Sequence, residues 1–148
     1  MSETTAPVAS AAPIAPAASV SRRRGRIALR VVQVLLAVFF AVASALPKLI
    51  AHSSAVASFD EMGWGHAGMY AIGLLELAGA IGLLVPVLQS VAAAGLGALM
   101  VGAFVVQVTV FDGQFAATPL ILLVPLAVIA WARRGHTADL LRLLRRQA

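Results

Sequence analysis

The chain has 148 residues, 61% of them hydrophobic and 11% charged, with a formal net charge of +5 and a mean hydropathy of +0.95. A soluble domain of this length cannot bury so much apolar surface, so the composition implies one integral membrane domain at most. Cysteine is absent, which excludes structural disulfides, thiolate metal ligands and a dithiol relay belonging to the chain itself.

Residues 1–21 are mostly Ala, Pro, Ser and Thr with a single acid, Glu3, and nothing there can build a core. With the arginines that follow, residues 1–25 read as a disordered, basic-ended tail. Arg22, Arg23, Arg24, Arg26 and Arg30 then lead into an apolar run over 31–46. The run is a first transmembrane helix or a signal peptide, since Ala43-Ser44-Ala45 satisfies the small-x-small cleavage pattern. Its length, counted from Ile27, exceeds a usual signal core and favours a retained helix, which Pro47-Lys48-Leu49-Ile50 ends.

Residues 52–66 are polar and mixed and read as a loop, with room for a short interfacial helix. Trp64 and Tyr70 suit the aromatic belt at a membrane surface. A second helix is expected over 67–88, with Pro86 in its final turn and Gln89-Ser90 as a tight turn. So short a connection makes the second and third helices antiparallel neighbours. The third helix, over 91–110, carries Ala94, Ala98 and Gly102 at four-residue steps, a stripe that lets another helix approach closely. After a polar turn over 111–118, the fourth helix covers 119–131, or starts as early as Phe115, and Arg133-Arg134 stops it. The segment 137–146 alternates leucines with Arg142, Arg145 and Arg146. It is either a basic amphipathic helix lying on the membrane or a frayed end whose arginines set topology.

Arginines precede the first helix and follow the fourth, whereas the loop after the first has only Lys48. Both flanks are therefore expected on the cytoplasmic side of the cell membrane, which requires an even number of spans. The expected fold is an all-α, four-helix transmembrane bundle with both termini cytoplasmic, its core domain spanning 26–134 and its tail 135–148. No nucleic-acid motif accompanies the arginines, so nucleic acid is not a partner. The bilayer is.

The sequence places one carboxylate, Glu76, near the middle of the second helix, with Gly73 and Gly79 beside it at helical spacing. A charge at bilayer depth costs about 2.5–3.5 kcal/mol on insertion scales, so it needs a partner, a proton or a water-filled cavity. In the four-span topology Lys48, Glu76 and Gln107 share one level, and Ser44 lies one turn from Lys48 on the same helix face. An intramembrane polar pocket of Glu76, Lys48, Gln107 and Ser44 is the expected site.

Several of these motifs resemble the DoxX and DoxX-like family: Leu46-Pro47-Lys48-Leu49, Phe59 with Met62-Gly63, the 73–84 run GLLELAGAIGLL, the 95–103 run GLGALMVGA, and the close over 130–134. The resemblance covers about 26–134 and implies a four-helix membrane bundle with both ends cytoplasmic. It also implies association with redox complexes, since the family's namesake is similar to a subunit of a thiosulfate:quinone oxidoreductase and other relatives accompany oxidative-stress enzymes. The family's lysine and glutamate fall on Lys48 and Glu76. Its frequent third-helix histidine does not carry over, because Gln107 stands there, and glutamine cannot shuttle a proton near neutral pH.

Each polar residue also has a plainer reading. A Lys48–Glu76 pair, or a protonated Glu76, can simply lock two helices together. Lys48 alone suits an interfacial snorkelling lysine, and Gln107 suits interhelical glue. His52 and His66, with Asp60 and Glu61 between them, match no compact metal-ligand spacing, so no metal is expected. No haem, flavin or iron–sulfur signature is present, so nothing is held covalently and a partner or a diffusible quinone, inferred from the family alone, must carry electrons. The chain is thus expected to be a membrane subunit supporting a quinone-linked redox process, alongside other membrane or peripheral redox proteins. The competing reading is a non-catalytic scaffold or assembly factor that docks partner helices on the Ala94/Ala98/Gly102 stripe. Homo-oligomers are compatible with either. The lack of an internal repeat argues against a transporter.

Overall fold

The computed structural model describes residues 17–134, with side chains from residue 21 onward. The chain before residue 17 and the amphipathic segment expected over 137–146 lie outside the described residues. All regular structure among the described residues is helical: α1 (Ala17–Val38), a π-helical stretch (Phe39–Ala45), α2 (Leu46–Leu49), α3 (Ser53–Glu61), α4 (Gly65–Leu84), α5 (Gln89–Thr109) and α6 (Ala117–Ala132).

Three helices among the described residues are long and apolar enough to cross a membrane: Ser21–Leu49, Gly65–Leu84 and Gln89–Thr109. The fourth apolar helix, α6, has 16 residues. Large apolar side chains point outward on all four, among them Leu35, Val42, Leu74, Val105, Ile121 and Val124. An apolar surface spread over all four helices is one that a bilayer covers. The chain is an integral membrane protein.

The helix starts earlier than the apolar run. Residues 17–25, expected in the tail, form the first turns of α1, because Ala and Arg are good helix formers and extend a helix nucleated by the apolar segment. Buried positions on this helix fall at Gln33, Leu36, Ala37 and Phe40, then step by five to Ala45. The step matches the π stretch, where the Leu46 N–H bonds the Ala41 carbonyl. Pro47, which lacks an N–H and crowds the carbonyl four residues back, accounts for the irregularity.

The second helix ends at Leu84 rather than Leu88. Pro86 is the cause: the residue before a proline is driven out of helical conformation, and Val85 is extended with φ −86° and ψ 116°. Gln89 and Ser90, expected as the turn, instead open α5, and residues 85–88 make the connection. Near that turn α4 and α5 touch closely. A Cβ on Gly79 would lie 2.6 Å from Leu96 Cδ2, and one on Gly82 would lie 2.8 Å from Ala92 Cβ. The dry core sits towards this end, built from Leu36, Ala37, Phe40, Ala80, Leu83, Ala93, Leu96, Met100, Leu126 and Ile129. Gln33 closes it, its amide N–H donating to the Leu83 carbonyl, one of the four that a helix end leaves without an intrahelical partner. Ser90 Oγ likewise donates to the Ala130 carbonyl at 2.9 Å, tying α5 to α6.

At the other end the helices part. The π stretch and α2 pack on α4, while α5 packs chiefly on α6. The expected interfacial helix is α3, capped by His52, whose ring accepts from the Ser54 N–H. Gly63 (φ 72°) and Gly65 (φ 56°) then reverse the chain into α4 in a left-handed conformation open to glycine.

Candidate functional site

This end of the bundle holds a half-open cavity of about 910 Å³, lined by residues of every element from the π stretch to α6. Its size is that of a small-molecule site. Phe39, Leu99, Met100 and Leu122 make its apolar lining, and polar groups line it from Ser44, Lys48, Ser54, Ser58, Glu61, Glu76, Gln107, Gln114 and Thr118. Trp64 lines it as well, its ring 6.3 Å from that of Phe59.

Lys48 and Glu76 form an ion pair here, Nζ to Oε2 at 2.8 Å. The other Lys48 contacts are to Ser44, at 2.9 Å to its carbonyl and 3.2 Å to its hydroxyl. An ammonium has three N–H donors. All three are therefore taken within the protein, and Lys48 neutralises Glu76 without a donor to spare. Glu76 is 4% exposed and lines the cavity, and Oε1 has no hydrogen bond among the described residues.

Gly73 makes this approach possible. A Cβ on Gly73 would meet Lys48 Cβ at 3.0 Å and Leu49 Cδ2 at 3.2 Å, so a larger residue would hold α4 away from α2. Gln107 lines the same cavity, with Oε1 buried and unpartnered, but no hydrogen bond joins it to Lys48 or Glu76 among the described residues. The carbonyl of Gln107 accepts from Gly113 N–H at 2.7 Å, which fixes the end of α5. Thr109 bonds its own helix at the Val105 carbonyl and lies exposed.

Of the small residues expected in helix packing, Gly73 and Gly79 sit against neighbouring helices. Ala94, Ala98 and Gly102 do not pack inside this chain: all are exposed, and a Cβ on Gly102 would meet nothing within 4 Å. Among the described residues no group of three His, Asp or Glu side chains is placed to hold a metal, at His52 and His66 or elsewhere.

Sequence reasoning missed Gln33 and Gln89, each 1% exposed at the opposite end of the bundle. Gln33 was findable by the logic that singled out Glu76, a polar residue inside an apolar run. Gln89 was obscured by its neighbour Pro86, which made it look like turn. Its amide has no partner on either atom.

The sequence profile described as the DoxX-like family matches residues 31–138 of the chain. No curated protein and no solved structure matches it.

Proposed function

The chain belongs to the DoxX-like family, and from that premise, with the cavity around Glu76, we propose that it is a membrane subunit that holds a quinol for a partner oxidoreductase. The observation that carries the reading is the pair of unclaimed oxygens on the cavity wall, Glu76 Oε1 and the buried Gln107 Oε1. Both oxygens accept, the Lys48 donors are already used, and the Gln107 amide N–H groups beside them can donate, so the wall suits a head group that both donates and accepts. A head that presents hydroxyl groups, as the reduced quinone does, supplies what they lack. An unmade hydrogen bond at a buried acceptor costs about 1–3 kcal/mol, so a donor head gains at Gln107 Oε1. Electrons are exchanged with a partner redox protein, and this chain binds and orients the head.

The proposed topology has four spans, α6 included, with Arg22–Arg30 and Arg133–Arg134 on the cytoplasmic side and the cavity in the opposite half of the cell membrane.

The test is mass spectrometry of the full chain purified gently from its native membrane, reading proteins and lipids together. A bound quinone or quinol that is present in the wild type and lost in Glu76→Gln supports the reading. A stoichiometric protein partner with no quinone overturns it in favour of a scaffold. One observation supports that second reading: the exposed Ala94/Ala98/Gly102 stripe, which leaves room for the helix of a partner.

A further inference from the structure

A second groove of about 470 Å³, lined by apolar residues, runs along α4 and α5 towards their connecting turn, past Gly79, Gly82, Val91 and Gly95. It shares two wall residues, Ala98 and Leu99, with the cavity of the ion pair. Ala98 is exposed, and a Cβ on Gly95 would touch nothing within 4 Å, so the groove is open to the side. We infer that the crevice between α4 and α5 is a lateral entry slot: a lipid-soluble molecule with a hydroxyl-bearing head and one long apolar tail passes its head to Glu76 while the tail lies in the groove along Gly95 and Val91. This rests on the head-binding reading above and adds the tail and the route.

The occupant follows from adjacency and chemistry. A polar cavity beside an apolar groove, with Ala98 and Leu99 on the wall of both, fits an amphiphile of that shape. A groove filled by a partner helix would need no link to a cavity with a buried carboxylate. Lipid is as apolar as the groove, so the slot adds no hydrophobic gain. Its effect is steric: it lets the head reach Glu76 while the tail stays in hydrocarbon. The helices touch where Leu96 fills the space over Gly79, and both residues line the groove, so the tail lies in a surface trough along the contact that leads to Ala98 and Leu99 on the cavity wall.

The experiment uses the full chain in nanodiscs with Trp131→Phe as background, so that emission reports on Trp64 at the cavity wall. Short-tailed and long-tailed benzoquinols are titrated under reducing conditions. Gly95→Leu and Val91→Phe fill the groove from positions outside the ion-pair cavity. They are expected to weaken long-tailed binding at least about tenfold, a loss of about 1.4 kcal/mol, and to leave short-tailed binding unchanged. The short-tailed probe also reports that each variant is folded. If both probes bind the variants as they bind the wild type, or if both are lost equally, the slot is wrong. The same holds if Gly95→Leu releases a co-purifying protein with no effect of tail length. Glu76→Gln separates the two ideas: it weakens both probes if the head site is right, and failure there removes the head reading whatever the groove variants do.

Discussion

Lys48 Nζ reaches Glu76 Oε2 at 2.8 Å across a helix interface, with Gly73, one turn before Glu76, pressed against the Lys48 Cβ. Gly73 lets the two helices approach at the level of the pair, since a Cβ there would meet Lys48 Cβ at 3.0 Å, so the pair and the glycine act together. Lys48→Met leaves the Glu76 charge without its partner, and removing one member of a buried pair costs roughly 3–5 kcal/mol. The melting temperature of the full chain in detergent should fall accordingly. Combining Lys48→Met with Glu76→Leu should restore most of it, and simple addition of the two losses would refute the coupling.

The two faces of the α4/α5 crevice predict opposite effects for the same substitution. Gly79→Ala drives a methyl group to 2.6 Å from the buried Leu96 side chain, which must shift, and overpacking of this kind costs about 1–3 kcal/mol. Gly95→Ala meets nothing within 4 Å and should raise stability by about 0.5–1 kcal/mol through helix propensity alone. Thermal melts of the two variants side by side decide it. A loss at Gly95 would mean that the open face is occupied in the native membrane.

Much of this was legible in residues with chemistry that is dear in a bilayer. Glu76 had to find a partner, and the charge distribution brought Lys48 to its level. That same reasoning passed over the π stretch, because an extra residue per turn leaves no mark on composition; only the five-residue step from Phe40 to Ala45 reveals it. Apolar periodicity also could not place the end of α4, since 77–88 is apolar throughout and the local preference of Val85 before Pro86 decided it. The small-residue stripe was visible, but not which way it faced. Ala94, Ala98 and Gly102 look the same in sequence whether they meet a helix of this chain or the lipid around it.

The buried glutamines at the far end of the bundle should also part company. Gln33 caps the Leu83 carbonyl, so Gln33→Met removes a hydrogen bond and leaves a buried acceptor bare, a loss of about 1–3 kcal/mol. Gln89 has no partner on either amide atom, so Gln89→Met, of similar shape, should be neutral or stabilising. Denaturation of each variant in the same detergent gives both signs. A destabilised Gln89→Met would show that a bound water or ion satisfies that amide.

The proposed orientation can be read with the chain's own lack of cysteine, since every thiol introduced is then a unique label. Asp60 lies exposed on α3 at the cavity end, and Gly25 lies exposed on α1 among the arginines. With both ends cytoplasmic, Asp60→Cys in intact cells should react with a membrane-impermeant maleimide, and Gly25→Cys should react only after lysis. Labelling at both positions in intact cells, or the reverse order, would break the link between the arginine distribution and the side on which the cavity opens. Equal protection of both positions until lysis would place Asp60 on the cytoplasmic side too. The stretch from Ser21 to Leu49 would then not span the membrane, and the pairing of Lys48 with Glu76 would need a different depth.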